Sequence, residues 1–319
     1  MTFRVVFDES SVDFTGIDFQ ESDRAKHIEN HLNQLADTLL AMRDGKMAVA
    51  VSPLGYGTEC WPGVPFDFFL GEGRLPVDSG IHGVDRDARV RCASLLDKCP
   101  QWGLVDSDIL DVLIDDRELL APSIAYAHAR ERRRSRVACL VFGCVRRGEK
   151  PVSVAGVTES IRFIADKGDM PGFLRTFFSV EDVPEDEFFA LASEAFPALF
   201  FQEKLNFSSF KGAYRNLRED VVTALAAIND QFSALLKKHA GQSEFVASDL
   251  RRLGCDVSLE SPKTRSSEKL MRKRDVDLQG QVVRCEWHAK LTPTHNRIHF
   301  ALLDDDRVLI GKFVEHLPT

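Results

Sequence analysis

Alternation of apolar and polar side chains near the C-terminus is the feature that most constrains the fold of this chain. Residues 282–291 and 297–302 carry an apolar side chain at nearly every second position, which is the period of a β-strand. A third apolar run, residues 307–313, follows the acidic turn at 304–306. Because only short turns separate these runs, they predict three consecutive antiparallel strands, a β-meander with one apolar and one polar face.

The polar face of this meander is predicted to be exposed to solvent and to carry the chemistry. Its side chains are Arg284, Glu286, His288, Lys290, Arg297 and His299. Arginine and lysine bind phosphate oxygens, whereas histidine and glutamate transfer protons near neutral pH. We therefore expect Lys290 and Arg297 to hold a phosphate and both histidines to transfer protons, with Glu286 orienting one of them.

This catalytic hypothesis needs no cofactor when the substrate is RNA, whose 2′-hydroxyl is an internal nucleophile. Proton transfer and charge stabilisation are then sufficient. The alternative is a structural polar face, because cross-strand charge pairs stabilise exposed sheet faces by about 0.2–1 kcal/mol each. Such faces usually carry Thr, Ser, Lys or Glu, so a pair of histidines and a pair of arginines favours a functional surface.

A basic segment, Lys263–Arg274, precedes the meander. The predicted nucleic-acid-binding residues are Lys263, Arg265, Lys269, Arg272, Lys273, Arg274 and Arg284. The segment contains a single acid, Glu268, although the whole chain has a net charge of −8. Clustered cations on an acidic chain indicate a local phosphate-binding surface. A non-catalytic module that binds nucleic acid or a protein partner through this surface is the alternative to an enzyme.

One resemblance is to a toxin superfamily. The strands that carry Lys290, Arg297 and His299, with His316 beyond them, resemble the RelE/ParE toxins, which are bacterial ribosome-dependent RNases or gyrase poisons. This resemblance implies a small α+β unit that acts on nucleic acid. The long N-terminal part of the chain departs from that family.

A second resemblance concerns the C-terminal end. The strings Cys285–Leu291, Arg297–Phe300 and His316–Thr319 resemble the end of uncharacterised bacterial proteins that are often encoded near mobile-element or phage-defence genes. The resemblance implies a nucleic-acid-acting effector of a defence or toxin system, with a protein partner from that system. It implies a context and defines no activity.

Metal-dependent chemistry is a further alternative. An aspartate before a strand with an acid-x-lysine pattern resembles the PD-(D/E)xK nucleases, in which carboxylates bind Mg²⁺. Asp277 and Glu286 would be the ligands here, but His288 stands where that family has lysine. A zinc site formed by Glu286 and the two histidines is another arrangement, which the neighbouring cations would disfavour by charge repulsion.

The remaining sequence predicts an α/β domain at residues 1–150 and a helical connecting region at 151–205. Residues 206–319 form the predicted α+β domain that contains the basic segment and the meander. Within the first domain, apolar side chains three and four residues apart predict an amphipathic helix over residues 19–42. The apolar run Val137–Val145 predicts a central strand that is buried on both faces.

Cysteine usage and hydropathy indicate a cytoplasmic protein. None of the seven cysteines has C-x-x-C spacing, and an odd, dispersed set favours reduced thiols. No apolar run reaches the roughly 18 residues of a membrane span. The N-terminus lacks the apolar segment of a secretory signal, so we expect no membrane partner.

The first predicted strand ends in an acid, Asp8, and this pattern resembles the start of PIN-type nucleases. Such a site needs several acids that converge on a metal. The later candidates are Asp106, Asp108, Asp111, Asp115 and Asp116. These acids fit a solvated helix and turn equally well.

Overall fold

The computed structural model describes residues 3–15, 21–45, 47–71, 73–76, 80–103, 111–143 and 145–318; within the first helix the side chains of residues 21 and 22 are not described. The chain divides into two compact units, Met1–Phe173 and Leu174–Thr319. Residues 151–173, which the sequence assigned to a connecting region, therefore lie in the first unit. No helix in the described ranges is long and apolar enough to cross a membrane.

The first unit is built on a mixed sheet. Its strands are β1 (Val5–Phe7), β2 (Val49–Ala50), β3 (Glu59–Trp61), β4 (Val64–Pro65), β5 (Asp111–Ile114), β6 (Arg117–Leu120), β7 (Ala138–Leu140), β8 (Gly148–Val154) and β9 (Val157–Ile164). Seven of them form one sheet in the order β2-β1-β7-β9-β8-β5-β6, and β3 pairs with β4 separately. The pairs among β2, β1, β7 and β9 are parallel, whereas β8, β5 and β6 add antiparallel pairs. This is the predicted α/β architecture.

The first unit contains helices, and the first of them follows the predicted amphipathic pattern. They are α1 (Glu21–Asp44), α2 (Phe66–Leu70), α3 (Arg86–Leu96) and α4 (Pro122–Glu131). In α1 the residues spaced three and four apart, from Ile28 to Met42, are buried. The predicted start of this helix at residue 19 lies outside the described residues.

The predicted central strand at Val137–Val145 is shorter than its apolar run. Strand β7 is fully buried between its parallel neighbours β1 and β9. Val141 and Phe142 remain buried, but the chain then turns at Gly143, whose φ of 67° favours glycine. Cys144 lies outside the described residues. Burial is therefore confirmed for Val137–Phe142, whereas Val145 is exposed, and only Ala138–Leu140 is strand.

The second unit contains a five-stranded sheet that ends in the predicted meander. Its strands are β10 (Leu199–Phe201), β11 (Asp256–Leu259), β12 (Asp275–Leu278), β13 (Gln281–Arg284), β14 (Trp287–Lys290), β15 (Arg297–Leu302) and β16 (Val308–Val314). The sheet order is β10-β16-β15-β14-β11, and β12 pairs with β13 in a separate hairpin. Strands β14, β15 and β16 are consecutive and antiparallel, which confirms the α+β class and the meander.

The second unit also contains helices. They are α5 (Met170–Val180, which spans the division between the units), α6 (Glu185–Ala195), α7 (Tyr214–Ala227), α8 (Ser233–Lys238), α9 (Ser243–Arg252), α10 (Pro262–Arg265) and α11 (Glu268–Met271). A π-helical turn, Ile228–Phe232, joins α7 to α8. Phe232 contacts Trp287 and Phe300 edge-on, with ring centroids 5.1 and 4.9 Å apart. This packing fixes which face of the meander is apolar.

The prediction of one continuous strand over residues 282–291 is wrong. The run breaks at Cys285 and Glu286, because β13 folds back on β12 while β14 joins the larger sheet. The backbone N–H of Cys285 donates to the carbonyl of Arg274 at 3.0 Å, so the break is itself held by a hydrogen bond. Arg284 and Glu286 consequently do not belong to the strand that carries His288.

Candidate functional site

The two predicted histidines face each other on adjacent strands. His288 on β14 and His299 on β15 are directly opposite in the antiparallel register. Their ring centroids are 5.4 Å apart, so both side chains lie on the same face of the sheet. This separation is within the reach of neighbouring strands and brings two imidazoles into one site.

The carboxylate of the site is Glu260, which the sequence analysis did not select. Ser258 on β11 is opposite His288, and Glu260 follows two residues later on the same side. Its Oε1 atom lies 3.5 Å from Nδ1 of His288 and 3.7 Å from Nδ1 of His299. The Glu286 that was predicted for this role contributes its backbone carbonyl, which accepts from the N–H of Glu260 at 3.0 Å. Alternation of Val257 and Leu259 with Ser258 and Glu260 was the available signal.

Arg274 is a core residue of the site and not an exposed nucleic-acid contact. Its Nε atom lies 2.7 Å from Oε1 of Glu260 as an ion pair, and it is not aligned for a straight hydrogen bond. The guanidinium also donates to the carbonyls of Leu270 and Pro318 at 2.9 and 3.2 Å. With 1% of its side chain exposed, Arg274 cannot contact a polyanion directly.

The prediction that the polar face is exposed is wrong for its central residues. Arg297 and His299 are buried, because other residues of the unit surround them on this side of the sheet, among them Glu260, Arg274, His316 and Leu317. A small cavity of about 30 Å³ remains. Its lining consists of Glu260, Arg274, His288, Arg297, His299, His316 and Leu317. This volume is enough for a water molecule or a single metal ion.

Both imidazoles are neutral at neutral pH. Burial, opposed by Glu260 and assisted by Lys290, lowers the pKa of His288 to about 4. Burial, with further contributions from His288 and Arg274, lowers the pKa of His299 to about 3. Neutral imidazoles accept a proton or bind a metal ion, but they do not donate a proton as an imidazolium does.

Three ring nitrogens of this pair are buried without a partner in the described part of the chain. They are Nδ1 of His288 and both Nδ1 and Nε2 of His299. The backbone of Cys285 approaches the His299 ring and opposes the fall in its pKa, yet it does not reach normal hydrogen-bond geometry. Nε2 of His288 does have a partner, the hydroxyl of Ser258 at 3.2 Å. Because buried polar atoms are usually hydrogen-bonded, these nitrogens indicate a ligand.

The two predicted phosphate ligands already have partners. Lys290 lies 3.3 Å from a carboxylate oxygen of Asp256. The guanidinium of Arg297 donates to a set of carbonyls that surround it, those of Thr292, Pro293, His295 and Asn296, at 2.6–3.2 Å. Arg297 thus holds the turn between β14 and β15 while one side of it lines the cavity.

The remaining predicted residues lie outside the cavity. Arg284 pairs with Asp275 and Glu268, which raise its pKa. Asp277 is exposed on the β12–β13 hairpin, where its side chain accepts from the N–H of Gly280. Among the described residues, Glu260, His288 and His299 are the group of three whose donor atoms lie close enough to hold a metal, and neither Asp277 nor Glu286 belongs to such a group.

The basic segment is helical and mostly exposed. It forms α10, α11 and the turn Arg272–Arg274. Its exposed cations are Lys263, Arg265, Lys269, Arg272 and Lys273. Arg272 lies 3.5 Å from Glu268, one turn earlier. The exposed cations lead directly into Arg274, so the basic surface and the buried site share one segment.

In the first unit, Asp8 is buried and pairs with Arg146 at 2.7 Å. Of the later acids, Asp115 and Asp116 lie at an exposed turn, where Asp115 is 3.2 Å from Lys150. Asp111 is exposed on β5, whereas Asp106 and Asp108 lie outside the described residues. The described acids of this unit therefore form no group of three metal-ligand atoms.

Comparison with known proteins adds no assignment. No family model, no curated protein and no solved structure matches this chain. The geometry of the site is therefore the basis for assigning a function.

Proposed function

We propose that the protein cleaves phosphodiester bonds of nucleic acid at the site formed by Glu260, His288 and His299. It would act as an effector of a bacterial defence or toxin system, the context that the resemblance of its C-terminal end implies. The observation that carries the proposal is a pair of neutral histidines, His299 buried and His288 largely buried, whose rings lie 5.4 Å apart beside a carboxylate.

The chemistry of the site supports this proposal. A neutral imidazole near a reacting hydroxyl or water can take its proton, a role that typically contributes about 10²–10⁴-fold in rate. Two such groups and Glu260 lie around a single small cavity. Arg274 adds a positive charge beside the carboxylate, which suits the negative charge that develops on a phosphate during cleavage.

The surface next to the site supports a polyanionic substrate. Five exposed cations lie on the segment that ends at Arg274, namely Lys263, Arg265, Lys269, Arg272 and Lys273. His316, which is also exposed, lines the cavity. A nucleic-acid backbone held by these cations would pass the rim of the cavity, where a phosphate meets the imidazoles.

A non-catalytic nucleic-acid-binding module is the second candidate. It is favoured by the small cavity and by the internal partners of Arg297, which leave this guanidinium little capacity for a phosphate. In that case the buried residues serve stability, and the exposed basic segment alone is functional.

Cleavage assays distinguish the two candidates. Purified protein is incubated with RNA, single-stranded DNA and duplex DNA, each with EDTA or with a divalent metal ion. We expect one substrate class to be cut, and His288→Ala and His299→Ala to lower the rate by about 10²–10⁴-fold. The control is His239→Ala, because His239 pairs with Asp249 elsewhere in the same unit. Absence of cleavage with every substrate, or full activity of both alanine variants, would leave the binding module.

A further inference from the structure

Three donor atoms of the site converge on one point. One ring nitrogen of His288, one ring nitrogen of His299 and a carboxylate oxygen of Glu260 all lie within 4.8 Å of one another. The distances from Oε1 to the two nitrogens are 3.5 and 3.7 Å. In tetrahedral coordination with bonds of about 2.0–2.1 Å, neighbouring ligand atoms are roughly 3.4 Å apart. We propose that these three residues bind one divalent transition-metal ion of the Zn²⁺ type.

The distances exclude the simpler interpretation, in which both imidazoles donate hydrogen bonds to the carboxylate. Such a bond would be about 2.7–3.0 Å long. The same unit contains an example, since Nε2 of His239 lies 2.9 Å from Asp249. At 3.5 and 3.7 Å, His288 and His299 are too far from Glu260 for this bond and are spaced as ligands of a shared ion.

The donor set selects the class of metal. Two neutral imidazoles and one carboxylate are ligands that Zn²⁺ commonly takes in catalytic sites, with a fourth position left for water. Mg²⁺ and Ca²⁺ prefer oxygen ligands and would be held poorly by two ring nitrogens. The geometry therefore distinguishes this site from the Mg²⁺ pair that Asp277 and Glu286 would form.

The surroundings orient each ligand. The hydroxyl of Ser258 contacts Nε2 of His288 at 3.2 Å, which directs the other nitrogen, Nδ1, into the site. Arg274 fixes the carboxylate of Glu260, and the carbonyl of Glu286 holds its backbone. Outer contacts of this kind, to the second imidazole nitrogen and to the carboxylate, accompany most metal-bound histidines and carboxylates.

Positive charge near the site is the main argument against a cation. Arg274 is paired with Glu260, Lys290 lies 3.3 Å from Asp256, and Arg297 donates to backbone carbonyls. A catalytic zinc ion is also held by three neutral histidines in known enzymes, so complete charge neutralisation is not required. The residual positive charge favours an anion, hydroxide or a phosphate oxygen, in the fourth position.

Binding of the ion is independent of the proposed function, whereas its catalytic use rests on that function. A zinc-bound water loses a proton at a pKa near 7, which supplies hydroxide at neutral pH. That hydroxide would attack the phosphorus atom and displace the leaving oxygen, which takes up a proton. The histidines would then be ligands, the proton released by the bound water would pass to solvent, and the leaving oxygen would take its proton from solvent.

The test measures binding without reference to activity. Chelator-treated protein is titrated with Zn²⁺ and, for its visible absorption, with Co²⁺. We expect one equivalent of metal to bind, and the Co²⁺ form to show the visible absorption of a tetrahedral site. His299→Ala, His288→Ala and Glu260→Gln should each weaken metal binding at least tenfold. The control His239→Ala should bind as the wild type does. Equal binding by wild type and His299→Ala would overturn the inference.

A second measurement avoids dependence on the folding of the variants. Thermal unfolding of the wild type is recorded with and without one equivalent of Zn²⁺, and a ligand that binds the folded state must raise the midpoint. An unchanged midpoint contradicts the inference. Zinc binding without nucleic-acid cleavage would contradict the proposed function but not the metal site. Cleavage in EDTA by a protein that binds no metal would contradict the metal site but not the proposed function.

Discussion

Two ion pairs, one in each unit, each join a buried carboxylate to an arginine, but their surroundings differ. Asp8 lies 2.7 Å from Arg146, and Glu260 lies 2.7 Å from Arg274. The carboxylate of Asp8 also accepts from the N–H and the hydroxyl of Ser10, at 3.0 and 2.7 Å. Glu260 instead faces two imidazoles whose Nδ1 atoms have no hydrogen-bond partner among the residues that the structure describes.

The difference shows which of the two pairs is a candidate ligand site. A buried carboxylate beside an arginine can be purely structural when its oxygens accept further hydrogen bonds, as those of Asp8 do. Buried nitrogen atoms without partners cost free energy unless a ligand completes them. This comparison favours Glu260 and its two imidazoles over the Asp8 pair as the candidate ligand site.

The largest expected effect separates the two pairs by stability. Replacing Arg274 with Met leaves a buried charge on Glu260, and we expect the second unit to lose about 3–5 kcal/mol of unfolding free energy. Arg146→Met should cost less, because Ser10 still hydrogen-bonds Asp8. Hydrogen exchange in urea measures each unit separately. Arg272→Met, at a side chain 74% exposed, is the control and should have little effect. A larger loss for Arg146→Met would reverse the comparison.

Glu9, the residue after Asp8, should make the stability of the first unit depend on pH. Burial and the charge of Asp8 raise the pKa of Glu9 to about 7. A raised carboxyl pKa stabilises the fold fully below pH 4.5, and this contribution disappears as the pH rises through 7. It amounts to roughly 3 kcal/mol. Glu9→Gln keeps the neutral form at every pH, so the variant should become more stable than wild type as the pH rises from 5 to 8. A constant difference over this range would show that Glu9 titrates normally.

The histidine site should have the opposite pH dependence in EDTA. The pKa values of His288 and His299 are lowered to about 4 and about 3, so the unfolded chain binds protons first as the pH falls. The stability that the two neutral histidines contribute is fully present above pH 6.5. It is lost progressively as the pH falls to these values, by up to roughly 1.4 kcal/mol per pH unit for each histidine. His299→Asn should reduce this slope in the second unit. A slope that is the same in wild type and variant would mean that His299 is not buried in its neutral form.

The smallest expected effect concerns the basic segment. Lys269→Glu with Lys273→Glu should weaken nucleic-acid binding and lower the slope of log affinity against log salt, by about 0.9 for each lost duplex phosphate contact. Arg132→Glu with Arg133→Glu changes the net charge equally on exposed residues of the first unit. Equal losses in both double variants, measured by fluorescence anisotropy at several salt concentrations, would attribute binding to net charge.

The meander and the shared face of the histidines could be predicted because the period of a strand is local. The alternation of apolar and polar residues within each strand shows which side chains share a face, and the tight turns leave few ways to pair the strands. The break at Cys285 and Glu286 could not be predicted in this way. It depends on the pairing of β13 with β12 and on a hydrogen bond to the carbonyl of Arg274. The alternation of apolar and polar residues contains no information about either contact.

Glu260 and Arg274 show why the site was only partly predicted. Glu260 reaches the histidines because Ser258 pairs with His288, a register between strands about 30 residues apart. Arg274 stands in a run of cations in which five others are exposed, and its burial follows from tertiary contacts with Glu260 and Pro318. Charge and spacing identify such a segment, but they do not identify which member enters the core.

The most direct test of the account is an anomalous difference map at the zinc absorption edge, from crystals of the protein grown with one equivalent of Zn²⁺. We predict a single strong peak in the second unit, about 2.0–2.2 Å from Nδ1 of His288, Nδ1 of His299 and a carboxylate oxygen of Glu260, and none beside Asp8. A map without a peak among these three residues, or with its peak at the Asp8 pair, would contradict the account.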